Sequence, residues 1–502
     1  MWKKALIGLG LGLGALALGL FLFWPDKWVV RGPALDMLTG EQVAAPDRET
    51  INDRFTLPDG FAMGVFAADV PHARMMRVTG AGDVLVSSMR EGRVILLHRD
   101  DDGDGRADGR TVLFDGLDVP HGLALRDGMV YVAETDRVSR APFDADARTA
   151  GALEPIITGL PGGGNHRTRT IGFSPDGWLH ITVGSSCNVC REDHRYRATM
   201  LRARADGSDL EIFAIGLRNT VGFDWQPRTG RLFGTDNGRD LLGDTIPTDE
   251  LNHIVRGGFY GWPVAFGNRM PDPDMGRGAA DRIAQSLPPA HGFGAHRAPL
   301  GMRFLAGTAA PDGYQGAALV ALHGSWNSSV LVGYKLVSLH WQGDAVTSRD
   351  FLTGFERDGE VIGRPVDVAL GGDGTIYVSD DYAGAVYAIR RGDGAAGDAL
   401  PARAQGETAD GPRLDDLDPA EKTAALAKGA LVFATGGCAR CHVQAAAPEG
   451  AHVTPLKGLK ARYDLPEMIA LLKNPPQPMP VPQLTQAERK ALAVYLLDQA
   501  GR

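Results

Sequence analysis

The sequence predicts an all-β propeller of six blades, followed by a small all-α domain and preceded by one apolar helix. Three observations carry this reading. A turn-and-strand unit recurs six times, the final stretch switches to helical periodicity, and the chain opens with an unbroken apolar run.

The repeat reads AGDVLVSSMREGRVILL from 81, RDGMVYVAETDRVSRA from 126, SPDGWLHITVGSS from 174, PRTGRLFGTDNG from 227, DGYQGAALVALHGSW from 312 and GDGTIYVSDDYAGAVYAI from 372. Its interval of roughly fifty residues fits propeller blades, each a small sheet that buries its faces against its neighbours. The wider gap between the fourth and fifth copies leaves room for an insertion spanning the Pro-rich segment near 262–300. A β-sandwich with chance PDG turns is the competing reading, but sandwich strands do not repeat a whole unit at this interval.

At the N-terminus, Lys3 and Lys4 precede an apolar run from Ala5 to Trp24, long enough to span a bilayer at roughly 20 residues. The run lacks the small-x-small cleavage site of a signal peptide, so an uncleaved anchor is favoured over a signal segment. The lysines imply a cytoplasmic start, with everything after Trp24 outside. The expected organisation is an anchor or signal segment over 1–25, the propeller over 26–391, a polar linker over 392–415 and a helical domain over 416–502. The formal net charge of -9 and the lack of a basic tract argue against nucleic acid as a partner.

Within the helical domain, GGCARCHVQ places Cys438, Cys441 and His442 in the C-x-x-C-H pattern of covalent haem c attachment. Two thioethers fix the porphyrin, and the adjacent imidazole becomes the proximal iron ligand. The prolines of NPPQPMPVP hold Met479 in a loop, where it is the expected sixth ligand. Met468, in LPEMIALLK, falls on an apolar helical stripe and reads as a core methionine. Thr485 and Glu488 stand at capping-box spacing before a closing helix. Residues from about 416 onward resemble a small class I cytochrome c, which implies electron transfer and, with the N-terminal segment, a periplasmic location.

The loops expected at the propeller's channel mouth hold GGGNHRTRT, GLRNTVGF, TDNGRDLLGDTIPTDELNHI, HGSWNSS and IGRPVDV. Together with GGFYGWP and TRTIGFSPDG, these phrases resemble the pyrroloquinoline quinone-dependent sugar dehydrogenases of the sorbosone and soluble aldose group, over most of 55–391. The resemblance implies that His166 is the general base for a sugar or sugar-aldehyde substrate and that Asp249 orients it. It implies that Arg218 and Asn219 contact the quinone, with Arg218 stabilising charge that develops on a quinone oxygen. Arg364 and His323 are expected beside them, on the cofactor side. Gly238 and Arg239 match positions that bind calcium through backbone carbonyls, although Arg239 replaces a proline of the family pattern and Val221 replaces a glutamine.

Two clusters stand apart from this set. In DDDGDGRAD, Asp100, Asp102, Asp104 and Asp108 carry calcium-loop spacing, but Thr111 stands where an EF-hand has its bidentate glutamate. A structural calcium and a solvated acidic turn both remain open. Cys187 and Cys190, in SSCNVC, are expected to form a small-loop disulfide in an exported protein, in preference to a zinc set completed by His194. The combined expectation is a relay from substrate to quinone to haem to a respiratory acceptor. The alternatives are a calcium-dependent lactonase, which lacks a G-x-S-x-G elbow here, and a docking propeller that carries a separate cytochrome.

Overall fold

The computed structural model describes residues 29–33, 39–306, 313–391, 417–435, 465–473 and 484–499, with a few single positions besides, among them Cys438. The expected anchor, the 392–415 linker and three of the expected haem ligands, Cys441, His442 and Met479, lie outside the described residues. Among the described residues no helix is long and apolar enough to cross a membrane.

Six antiparallel blades of four strands each surround a common axis, the second with a short extra strand. Their innermost strands are Ala73–Val78, Leu123–Arg126, Ile171–Phe173, Thr220–Trp225, Pro299–Phe304 and Pro365–Leu370. The second strands are Val84–Ser88, Met129–Ala133, Leu179–Val183, Leu232–Asp236, Ala318–Leu322 and Ile376–Asp380. Every one of the six repeated sequences contains one of these second strands. All but the first residue of Met129–Ala133 are buried. A strand sandwiched on both faces reads as a near-continuous apolar run, which is why the repeat was legible there.

The ring closes through a strand that precedes the first repeat. Phe61–Ala67 pairs antiparallel with Ala385–Arg391, with Phe61 opposite Arg391 and Val65 opposite Tyr387. Phe66 packs edge-on against Tyr377, so the closing strand is held by core burial as well as by its ladder. The expected insertion lies within blade 4, between Asp249–Ile254 and His291–Gly294. It folds back on blade 3, where Phe259 bridges to Ile215.

Inner strands approach so closely that some positions exclude a side chain. A Cβ at Gly222 would overlap the carbonyl oxygen of Leu300 on the next blade, and one at Gly301 would overlap the Asp367 carboxylate beyond it. These glycines let blades 4, 5 and 6 meet at the axis.

The C-terminal unit packs Pro419–Thr435, Leu465–Lys473 and Gln486–Gln499 around Leu465, Met468, Leu472, Leu492 and Leu497. Met468 is a core residue, as its spacing predicts. The Thr485 hydroxyl accepts from the Glu488 N–H (3.3 Å), and the Glu488 carboxylate accepts from the Thr485 N–H (2.9 Å), completing the capping box. Gly429 lies against the Ala491 carbonyl, so the first and last helices cross at a residue without a side chain. Cys438 is half-buried beside this core.

Gly222→Ala is expected to cost about 1–3 kcal/mol through overpacking at the axis. Gly372→Ala, where a Cβ would meet nothing within 4 Å, serves as the control and should change stability little. Thermal melting of the two variants checks this; equal melting temperatures would show that the inner strands have slack.

Candidate active site

A cavity of about 200 Å³ opens among the inner-strand loops. His166, Arg218, Asn219, Gly238, Arg239, Asp249, His323 and Arg364 all line it. The eight propeller positions carried over from the family resemblance therefore meet in one place, contributed by four different blades.

His166 sits on the loop that enters blade 3. Its Nδ1 lies 3.0 Å from the Ser185 carbonyl oxygen and 2.9 Å from the Ser185 hydroxyl. A carbonyl only accepts, so Nδ1 carries the proton and Nε2 keeps a lone pair. Burial, reinforced by the positive charges of Arg218, Arg197 and Arg169, pushes the imidazole down to about 3. The ring is thus neutral across the physiological range rather than poised near neutrality. Gly184 makes room for it: a Cβ there would stand 2.5 Å from His166 and 2.8 Å from the Asn219 amide oxygen.

The expected pairing of Asp249 with His166 is corrected by the structure. Both Asp249 oxygens are committed elsewhere, one accepting from the Gly238 N–H (2.7 Å) and the other from the Ala298 N–H (2.8 Å). Asp249 opens the third strand of blade 4 and ties that strand to the Gly238 segment and to the entry of blade 5. Burial pushes its carboxyl up to about 6 against the pull of those N–H groups. The partner of His166 is Ser185, nineteen residues along the chain.

Arg218 is buried and held through its own guanidinium. Nε donates to the Asn188 carbonyl (2.9 Å), one terminal nitrogen to the Asn237 carbonyl (3.1 Å), and the other to the Asn188 amide oxygen (3.0 Å) and Asp240 (3.4 Å). Asp236 fastens the loop beneath by accepting from the N–H groups of Arg218 (2.9 Å) and Asn219 (2.7 Å). Arg364 donates to the carbonyls of His323 and Gly324, both at 3.1 Å. His323 faces Asp381 at 2.8 Å through Nε2, and Arg74 holds the second Asp381 oxygen at 2.7 Å. Against burial, the hydrogen bond from His323 and the positive charges of Arg74 and Arg364 hold the Asp381 carboxyl far below the usual carboxylate range, while burial and Arg364 keep His323 down at about 4, neutral and donating.

Arg74, Asn188, Ser185, Asp240, Asp381, His296 and Trp326 were not singled out from the sequence. Asp240 and Trp326 stand inside quoted phrases and Asn188 between the two cysteines, so a local signal existed for them. Ser185 and Asp381 stand within the third and sixth repeats, where the signal was one of strand and not of site, and Arg74, in the first blade, had none.

The lining holds four arginines, Arg74, Arg218, Arg239 and Arg364, against two aspartates, Asp240 and Asp249. Arg239 turns its guanidinium to Asp272 and Asp274, both at 2.9 Å. The buried Nε of Arg74 has no partner among the described residues. This donor set suits a compact polyanion. The carbonyls of Gly238 and Arg239 accept no hydrogen bond from the described residues, which leaves two hard oxygen donors for a cation.

Elsewhere, Cys187 and Cys190 form the expected disulfide. Among the described residues His194 belongs to no metal-competent group; its Nδ1 accepts from the Tyr196 N–H at 3.2 Å. Carboxylate oxygens of Asp100, Asp102 and Asp108 converge, whereas Asp104 does not join them.

A family model described as TrAA12-like matches residues 55–255 and 279–392. The chain belongs to the TrAA12-like family. Among solved structures, this TrAA12-like chain is similar to the calcium structure of Trichoderma reesei carbohydrate-active enzymes family AA12, with a TM-score of 0.60, 20% identity, and coverage of 70% of this chain and 99% of that one. It is also similar to the holo pyranose dehydrogenase PQQ domain of Coprinopsis cinerea, with a TM-score of 0.59, 22% identity, and coverage of 67% and 97%. At these identities the likeness establishes the fold, a six-bladed propeller. An uncharacterised protein of Borreliella burgdorferi is 36% identical over 216 residues, which are 42% of this chain. The chain spans between 32% and 56% of the length of the curated relatives it matches.

Below the cavity, Glu250 accepts from the Gly267 N–H (2.7 Å) and the Asn252 amide (3.1 Å). Burial and the neighbouring Asp236 push its carboxyl up to about 8 from an ordinary 4.5. The folded state then retains a proton that the unfolded chain releases, so stability falls as pH rises toward about 8. Asp236 and Asp249 complete their own contribution near 6. Urea unfolding from pH 6.5 to 8.5 should therefore show a decline that Glu250→Gln abolishes; an equal slope in both proteins would mean that Glu250 is already ionised at neutral pH.

Proposed function

We propose that this chain is a pyrroloquinoline quinone-dependent dehydrogenase of sugars or sugar aldehydes that passes its electrons to a covalently bound haem c. The observation that carries the reading is the single cavity in which a neutral histidine with a free Nε2 faces a surplus of buried arginines. The Coprinopsis structure is the holo form of a PQQ domain and the Trichoderma structure a calcium structure, and the donor set here suits the same pair.

In this reading Arg74, Arg218 and Arg364, with Asn219, hold the carboxylates and carbonyl oxygens of the quinone. The carbonyls of Gly238 and Arg239 hold calcium. When bound, the quinone supplies the acceptor for a hydride from the substrate carbon. His166 supplies the complementary half: Nε2 takes the hydroxyl proton while Nδ1–H stays on Ser185. An anion seated among the arginines offsets the charge that depresses this imidazole, so its proton affinity rises when the cofactor is in place. The hydrogen bond to Ser185 then steadies the imidazolium.

The electron route rests on the C-x-x-C-H sequence of Cys438, Cys441 and His442, with Met479 as the sixth ligand. The apolar run from Ala5 to Trp24 fits an uncleaved anchor with the body in the periplasm, where a respiratory carrier would collect the electrons.

Mixing the full-length protein with pyrroloquinoline quinone, calcium and an aldose should bring up the absorbance bands of ferrocytochrome c. His166→Ala should bind the quinone with near-normal affinity and lose about a hundredfold to ten-thousandfold in turnover. Haem bands that stay oxidised while an artificial dye is reduced would remove the haem from the route. A His166→Ala enzyme at full speed would place the base elsewhere.

A further inference from the structure

The loop between the second and third strands of blade 3 touches both halves of the cavity. It carries no helix or strand from Gly184 to Ala198. We propose that residues 185–190, closed by the Cys187–Cys190 disulfide, form the positioning element that sets His166 and Arg218 together. The proposal rests on the reading of His166 as base.

On the histidine side, the Ser185 hydroxyl donates to the Cys187 carbonyl at 2.8 Å. That bond spends the hydroxyl proton, so the oxygen can only accept from His166 Nδ1. The Ser185 carbonyl already requires a proton on His166 Nδ1, and the Ser185 hydroxyl, oriented by the carbonyl of a disulfide cysteine, adds a second acceptor that reinforces the tautomer leaving Nε2 open. The Ser185 N–H donates in turn to the Arg218 carbonyl at 2.8 Å, and the Ser185 carbonyl accepts from the His166 N–H at 3.3 Å.

On the arginine side, Asn188 stands between the two cysteines and uses every polar atom of its side chain. Its amide oxygen accepts from Arg218 (3.0 Å) and from the Asp240 N–H (2.8 Å), and its amide nitrogen donates to the Asp240 carbonyl (3.0 Å). Its backbone carbonyl accepts from Arg218 Nε. The guanidinium is thereby held by two acceptors from one residue, in a plane that residue dictates. Lacking a strand ladder, the loop is confined by the disulfide, by the Ser186 carbonyl accepting from the Asn165 N–H (2.9 Å), and by Glu192, which accepts from the Ser186 N–H (2.6 Å) and hydroxyl (2.7 Å). Opening the disulfide leaves the Glu192 contacts and the Asn188 hydrogen bonds but removes the covalent tie that fixes Cys187, and with it the segment joining Ser185 to Asn188. The charged groups facing His166 are Arg169, Arg197 and Arg218, from the 166–170 loop, the third strand's entry and the GLRN loop.

Two readouts separate positioning from general stability. In the cofactor-free full-length protein, ¹⁵N-labelled histidine reports the His166 tautomer by NMR, with His166→Ala identifying the signal. Titration with pyrroloquinoline quinone and calcium reports Arg218. Cys187→Ala/Cys190→Ala should turn the single Nδ1–H tautomer into a mixture and weaken quinone binding by about tenfold or more, with a melting temperature near that of the parent. Asn188→Ala should weaken quinone binding by about tenfold and leave the tautomer unchanged. A double cysteine variant with the parent's histidine signals and quinone affinity overturns the proposal. Should that variant fail to fold, unaltered affinity in Asn188→Ala overturns it alone. A parent protein that binds no quinone would instead sink the proposed function, while the tautomer measurement would still test the loop.

Discussion

Everything in the cavity depends on closing the ring. The pairing of Phe61–Ala67 with Ala385–Arg391 joins the two ends of the propeller, and only then do the first and last blades become neighbours. Arg74 in blade 1 reaches Asp381 in blade 6, and Asp381 in turn holds His323 of blade 5. An open ring would strand a buried carboxylate without its cation, a cost far above that of a lost surface pair. The closing strand accordingly buries Phe61, Met63 and Phe66 rather than relying on its ladder alone.

The same closure explains how so many cations are tolerated. Arg218 and Arg364 are satisfied largely by backbone carbonyls, which supply partial negative charge without a full neutralising carboxylate. Most carboxylates nearby are pointed at backbone N–H groups instead: Asp236 at Arg218 and Asn219, Asp249 at Gly238 and Ala298, Asp380 at Arg364, Tyr382 and Ala383. Such bonds fix loop backbones at the tops of the inner strands. The lining shows four arginines to two aspartates, while Asp381 behind it pairs with Arg74 and Asp272 and Asp274 pair with Arg239, so the wall offers an anion directed N–H donors, such as the Arg74 Nε, which has no partner among the described residues.

His166 shows what this arrangement does to chemistry. Its ring is neutral because it is buried among arginines, and its tautomer is set by an acceptor pair on one neighbouring residue. A serine and a carbonyl, rather than a carboxylate, orient it. The base is therefore weak until a negative partner enters, which couples proton abstraction to occupancy of the cationic half of the cavity.

The amino-acid sequence by itself determined the blade count, because the second strand of each blade is buried on both faces and recurs as a short, largely apolar run behind a turn, with its polar residues towards the end that reaches the channel loops. It also determined the Thr485–Glu488 cap, the core role of Met468 and the Cys187–Cys190 pairing, all of which involve residues a few positions apart or periodic along one helix. The phrases GLRN, TDELN and HGSWN marked which loops face the channel. Only the tertiary structure decided who bonds to whom there. Asp249 looked like the partner of His166, but it is buried at the head of a strand, where two N–H groups from other segments claim both its oxygens. Ser185 took the role because the entry loop of blade 3 folds back onto the end of that blade's second strand. Arg74 and Asp381, 307 residues apart, carried no local sign of each other. Their contact exists only because a closed ring brings the first and last blades side by side, and hydrogen-bond partners chosen at that range obey geometry, not sequence spacing.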